Sequence, residues 1–152
     1  MKIQNSIDIH APRDLVFDVF TDLPLAADRI SGISRLELLQ NAESFQLGTR
    51  WRETRKMFGK EATEEMWVTG LTPPSGYIVE AESRGTHYTS TSEFKAKGDT
   101  TRVNTTFEGT PLTFATKLMG LIAPLFARAT RKMVQDDLED LKRACEEAAR
   151  SH

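Results

Sequence analysis

Apolar and polar side chains alternate from the start of the chain, with Ile3, Asn5, Ile7 and Ile9 on one face and Lys2, Gln4, Ser6, Asp8 and His10 on the other. That period of two predicts a half-buried strand. Pro12 ends it, and suits the first turn of a helix. Leu15, Val16, Val19 and Phe20 then fall at helical spacing, predicting a short amphipathic helix to about Thr21. Asp22-Leu23-Pro24 breaks that helix, and Leu25 to Ile30 predicts a second short helical turn before Gly32. From Ser34 to about Thr110 the pattern changes: glycines at 48, 59, 70, 76, 85, 98 and 109 punctuate stretches rich in Thr, Val, Tyr, Trp and Phe. Phe58-Gly59-Lys60, Pro73-Pro74-Ser75-Gly76, Arg84-Gly85-Thr86 and Lys97-Gly98-Asp99 read as chain reversals. Connections this short hold no crossover helix, so successive strands are antiparallel neighbours. The strands are predicted over 34–40, 49–58, 61–71, 76–83, 86–96 and 101–109.

Beyond Pro111 the period becomes helical. Leu118, Leu121, Ile122, Leu125, Ala129, Met133, Leu138, Leu141 and Cys145 recur mostly in steps of three and four among Arg, Lys, Asp and Glu. Thr110 is expected to cap this helix, with Pro111 in its first turn and Pro124 bending it near Gly120. A helix over 113–148 would exceed about 50 Å, enough to cross a whole sheet. With no linker, repeat or low-complexity stretch, residues 1–152 are expected to form a single domain.

Composition narrows the class of protein. The 152 residues are 39% hydrophobic and 28% charged, as in a globular rather than a disordered chain. That length buries enough surface for a core without disulfides or metal. A net charge of −2 gives no overall attraction to nucleic acid. The longest apolar run, Leu118 to Ala127, falls far short of the roughly 20 residues of a spanning helix. The first residues, with no apolar core segment, and the lone Cys145 point to a reducing, cytoplasmic setting.

A strand, two small helices, a six-stranded meander and a long C-terminal helix together resemble the helix-grip fold of the START-like, or SRPBCC, superfamily. The run Ile7-Asp8-Ile9-His10-Ala11-Pro12-Arg13-Asp14-Leu15-Val16-Phe17 through Asp22 is similar to that family's opening strand and helix start. Gly48-Thr49-Arg50-Trp51, Val68 to Pro74 and Gly98 to Val103 resemble its later signposts, and the nearest branch is the polyketide cyclase/dehydrase-like one. The resemblance implies an α+β fold, with a curved antiparallel sheet of about seven strands around the long C-terminal helix. It also implies a cavity between them for an apolar or amphipathic molecule. Members include lipid and sterol carriers, hormone and quinone binders, and aromatase/cyclases, so the fold alone does not choose a reaction.

Strand alternation nominates the cavity wall. Val103, Thr105 and Phe107 form the apolar side of the last strand, and Tyr88, Ser90, Ser92 and Phe94 share one side of the strand before it. Trp51, Glu53, Arg55 and Met57 share a face, opposite Glu64, Met66 and Val68 of the neighbouring strand. An inward Trp51 therefore brings a carboxylate and a guanidinium inside, and a Glu53–Arg55–Glu64 cluster would orient a polar ligand group or tune a general acid. Phe114, Leu118, Ile122 and Phe126 would close the cavity from the helix.

No GxSxG, P-loop or dinucleotide fingerprint occurs. His10, His87, His152 and Cys145 share no metal-ligand spacing, so neither a metal nor a cofactor is expected. His87 must point away from Tyr88, and reads as a solvated hairpin histidine. Arg50, Arg52, Arg55, Lys56 and Lys60 are divided between two strand faces, which argues against a nucleic-acid site. Three roles remain: binding of a small hydrophobic ligand (lipid, polyketide, aromatic or quinone-like), cyclase/dehydratase catalysis on a polyketide-like substrate in the same cavity, and an interaction or lipid/quinone chaperone role for the long helix. The helix also leaves a homodimer open.

Overall fold

The computed structural model describes residues 1–40, 42–57, 59–83, 85–111 and 123–151. Strand β1 (Lys2–Ile9) buries Ile3, Asn5 and Ile9 and turns Lys2, Gln4 and Asp8 outward, as its alternation requires. Pro12 stands at the N-cap of α1 (Arg13–Phe20), which buries Val16, Phe17 and Val19. Helix α2 (Leu23–Arg29) carries Pro24 in its first turn, where the missing N–H costs nothing.

The meander follows as β2 (Ile33–Leu38), β3 (Arg50–Met57), β4 (Lys60–Thr72), β5 (Gly76–Ser83), β6 (Thr86–Lys97) and β7 (Thr100–Pro111). All pairings are antiparallel, and the seven strands lie in the order β1-β7-β6-β5-β4-β3-β2. The first strand therefore joins the last, with Ile3 opposite Phe107 and Ile9 opposite Thr101. Between β6 and β7 a two-residue loop joins the paired Lys97 and Thr100, and Gly98 supplies its left-handed backbone (φ 61°).

Helix α3 (Ala123–Arg150) is the long C-terminal helix, about 42 Å along its 28 described residues. Its Leu138, Leu141 and Cys145 pack into the main core with Ile9, Val16, Phe17, Phe94 and Val103. Polar ties fix its position. Asn5 donates to the Arg131 carbonyl (3.3 Å) and to Gln135 Oε1 (3.1 Å). Asp140 Oδ2 accepts from the Ser31 amide and hydroxyl at 2.9 and 2.8 Å, just before β2. The architecture is the α+β helix grip, a curved sheet closed by one long helix.

The expected helix start at Thr110 is corrected. Thr110 and Pro111 end β7, where Pro111 pairs with Thr86 and His87 with Thr110. A proline at the last position of a strand forfeits no interior ladder bond, so the strand runs two residues further than the predicted end at 109. The bend expected near Gly120 lies outside the described residues.

Candidate ligand-binding site

Where the sheet curves away from α3, a cavity of about 240 Å³ opens between them. Its wall is built from the inward faces of β3 to β7, from α1, α2 and β2 at one end, and from α3 above. Trp51, Glu53, Arg55, Glu64, Met66, Tyr88, Ser90, Ser92, Thr105, Phe107 and Phe126 all line it. Leu118, Ile122, Phe114 and the side chain of Met57 lie outside the described residues. The remaining lining is largely apolar, and Leu23, Phe45, Tyr77, Val79 and Leu138 contribute to it.

Aromatic rings give the cavity its shape. Phe45 meets Tyr77 edge-on at 5.0 Å between centroids, and Tyr77 leans on Phe94 at 5.8 Å. On β6 and β7 Tyr88 stacks on Phe107 at 5.3 Å. Tyr77 stands opposite Ser92 in the β5–β6 ladder, and the two hydroxyls are hydrogen-bonded. Burial pushes the Tyr77 phenol up to about 12, against the pull of Ser92 and with a further push from Glu53, so it stays protonated at any physiological pH.

The polar end of the cavity is an ion cluster. Trp51 is buried, so the alternation of β3 carries Glu53 and Arg55 inside with it. Arg55 Nε donates to Glu53 Oε2 at 2.7 Å. Its Nη1 and Nη2 donate to Asp137 Oδ1 and Oδ2 at 3.1 and 2.7 Å. Trp51 Nε1 donates to the other Glu53 oxygen at 3.4 Å. Burial works against the Arg55 charge, but Glu53 and Asp137 more than offset it and hold the guanidinium protonated. Asp137 behaves differently: burial raises its carboxyl to about 6, although Arg55 pulls the other way and Glu53 and Asp140 add to the rise.

The cluster expected from sequence is Glu53–Arg55–Glu64. Glu64 stands opposite Glu53 in the β3–β4 ladder and lines the cavity, but the carboxylates paired with Arg55 are Glu53 and Asp137. Sequence reasoning misses Asp137, though one signal could have found it. It sits one helical turn from both Met133 and Leu141, so it interrupts the apolar stripe of α3 with a charge. Gly32, just before β2, makes room for the pair, since a Cβ there would stand 2.9 Å from Arg55 Nη1.

Arg55, Met133 and Asp137 also line an outer groove of about 320 Å³ with Ser31, Gly32, Lys56, Ala129, Lys132 and Asp136. The ion pair is thus part of the partition between groove and cavity. On the convex face, Arg50 pairs with Glu65, Arg52 with Glu37, and Arg50 lies over the Trp67 ring at 4.9 Å. His87 is there too, but it is bridged rather than merely solvated: Nε2 lies 2.6 Å from Glu80 and Nδ1 3.3 Å from Glu82. Those contacts, led by Glu80, raise its pKa. Among the described residues, no group of three or more His, Cys, Asp or Glu is placed to hold a metal ion. No helix among them is long and apolar enough to cross a membrane.

A curved sheet gripping a long helix, with an apolar cavity and an ion cluster between them, defines the helix-grip class of fold. The chain belongs to the polyketide cyclase/dehydrase and lipid transport family, whose profile matches residues 1–146. Its fold is similar to that of TTHA0849 from Thermus thermophilus (TM-score 0.83, 19% identity, 98% of this chain and 99% of that one). It is also similar to the ZhuI aromatase/cyclase from Streptomyces sp. R1128 (TM-score 0.81, 14% identity, 96% and 93%). A third likeness is to truncated norcoclaurine synthase from Thalictrum flavum (TM-score 0.73, 16% identity, 95% and 92%). No curated protein matches the chain in sequence.

Proposed function

We propose that this protein is a single-domain, cytoplasmic binding protein for a small hydrophobic or amphipathic molecule of lipid, polyketide, aromatic or quinone-like kind. The observation that carries this reading is the cavity itself: an aromatic-walled space of about 240 Å³ with its charged groups gathered at one end. Such a space excludes water from a ligand's apolar body while a few polar groups set its orientation. Burying a few hundred Å² of apolar ligand surface, at about 25 cal/mol per Å², supplies several kcal/mol before ordering costs. A role resting on the long helix alone would call for a filled cleft instead.

Native mass spectrometry of gently purified protein, followed by extraction, tests the reading directly. A stoichiometric apolar adduct, or saturable binding of the neutral dye Nile red, is the expected result. Ser90 faces Phe107 across the β6–β7 ladder, both lining the cavity, so Ser90→Trp should fill the space and reduce dye binding at least about tenfold. Unchanged binding by a folded Ser90→Trp protein would place the dye elsewhere.

Cyclase or dehydratase chemistry in the same cavity is the second reading, and Asp137 is what favours it. A carboxyl near 6 exchanges its proton close to neutral pH, as a general acid or base must. Its bidentate pairing with Arg55 nonetheless suits orientation better than proton transfer, which places binding first. Turnover of a linear poly-β-ketone that Asp137→Asn abolishes without loss of binding would reverse that order.

A further inference from the structure

Among the described residues, every charged side chain that lines the cavity is already engaged within the protein. Arg55 donates through Nε to Glu53 and through its Nη1–Nη2 edge to Asp137. The other Glu53 oxygen accepts from Trp51 Nε1. Glu64 is not free either. An incoming carboxylate would have to displace Glu53 or Asp137 from the guanidinium, and an incoming ammonium would have to draw one of them away from it. Any N–H or lone pair still open in the Arg55 cluster lies beside a group of the opposite sign. An ion therefore meets attraction and repulsion together there, and it loses hydration that the aromatic wall does not return. An uncharged ligand bears neither cost, and the wall offers it a hydroxyl. Ser90 lines the cavity between Val79 of β5 and Phe107 of β7, its direct partners in the two ladders. Neither partner has a side chain that forms hydrogen bonds, whereas Ser92, two residues on, is bonded to Tyr77. A serine hydroxyl carries one donor and two lone pairs, and here apolar side chains flank it on both sides.

From this arrangement we infer that the cavity selects an uncharged ligand bearing a hydroxyl or carbonyl group, and that Ser90 is the specificity-determining residue that bonds it. The inference rests on the reading of the cavity as a ligand site and adds the chemistry of the ligand's polar group. The Ser90 hydroxyl donates to the ligand's carbonyl or alcohol oxygen, or accepts from its alcohol. The apolar body lies along the aromatic wall, and the Arg55 cluster stays closed on itself.

Four probes titrated into the intact protein by calorimetry at pH 7.5 test it: octan-1-ol, octylamine, octanoate and propylbenzene, the last with no hydrogen-bonding group. Octanol should bind at least about tenfold tighter than either ion. Ser90→Ala should weaken octanol binding about three- to tenfold while leaving propylbenzene affinity within about twofold. Ser90→Cys, of nearly the same volume, serves the same purpose if Ser90→Ala does not fold. Either ion binding as tightly as octanol overturns the inference, and so does an octanol affinity unmoved in a folded variant. Propylbenzene binding without any preference for octanol over the ions leaves the cavity as a ligand site and removes this inference alone. Failure of all four to bind removes both.

Discussion

Asp137 carries the least expected chemistry in the molecule. Its carboxyl sits near 6 against an ordinary 3.8, chiefly because burial disfavours the charge. Between those values the folded chain binds more protons at this site than the unfolded chain, so the site's contribution to stability falls as pH rises through that window. Asp137→Asn cannot titrate. Denaturant unfolding across pH 4 to 7 should therefore show the variant gaining stability relative to the wild type between about pH 4 and 6, then holding level. A constant difference would mean that the Arg55 charge fully compensates burial. This residue also marks where the sequence stopped being legible. Glu53 and Arg55 could be placed inside because Trp51 shares their strand face, and a period of two admits only two arrangements. Asp137 belongs to a helix whose pairing with β3 depends on how the whole sheet curves, and no local period contains that curvature.

The elements themselves were largely written in the pattern. Ile3 and Ile9 in β1, Phe94 in β6 and Val103 in β7 are all essentially inaccessible, which fixes the concave face on the side their alternation chose. Glycine and proline located most reversals, but Pro111 misled because a proline can open a helix or end a strand with equal ease. What holds α3 to the sheet is less visible in any one segment. Leu138 and Leu141 meet residues of β1, α1, β6 and β7 at once. Leu138 is buried within that core and also lines the cavity. Leu138→Ala should thus cost about 2–5 kcal/mol of stability by calorimetry or denaturant unfolding. It should sit near the lower end, because the neighbouring cavity already leaves space on one side. A loss below about 1 kcal/mol would indicate that the helix shifts to close the gap.

At the scale of the whole molecule, two tasks compete for the same surface. A closed core at one end of α3 holds the grip, and the cavity further along gives up packing that a solid interior would retain. A ligand taken up there as proposed would restore that packing. At about a hundred times its dissociation constant it would stabilise the fold by about 2.7 kcal/mol, so thermal shift is a sensitive assay for any candidate. The fold follows the global arrangement rather than local identity. Structures sharing 14 to 19% of residues superpose over nearly the whole chain because the pattern of inward positions, not their spelling, builds the grip.

Cys145 has a use unconnected with binding chemistry. It is the chain's one cysteine, it is inaccessible, and burial lifts its thiol to about 12, so it is inert while the helix stays docked. Alkylation can proceed only in moments when the C-terminal turns of α3 leave the sheet. The rate of iodoacetamide labelling is therefore an internal clock for undocking, with no engineered probe required. Labelling at pH 8 should run orders of magnitude slower than in denaturant. A cavity ligand will slow it further if undocking empties the cavity, and will leave it unchanged if the helix end frays alone.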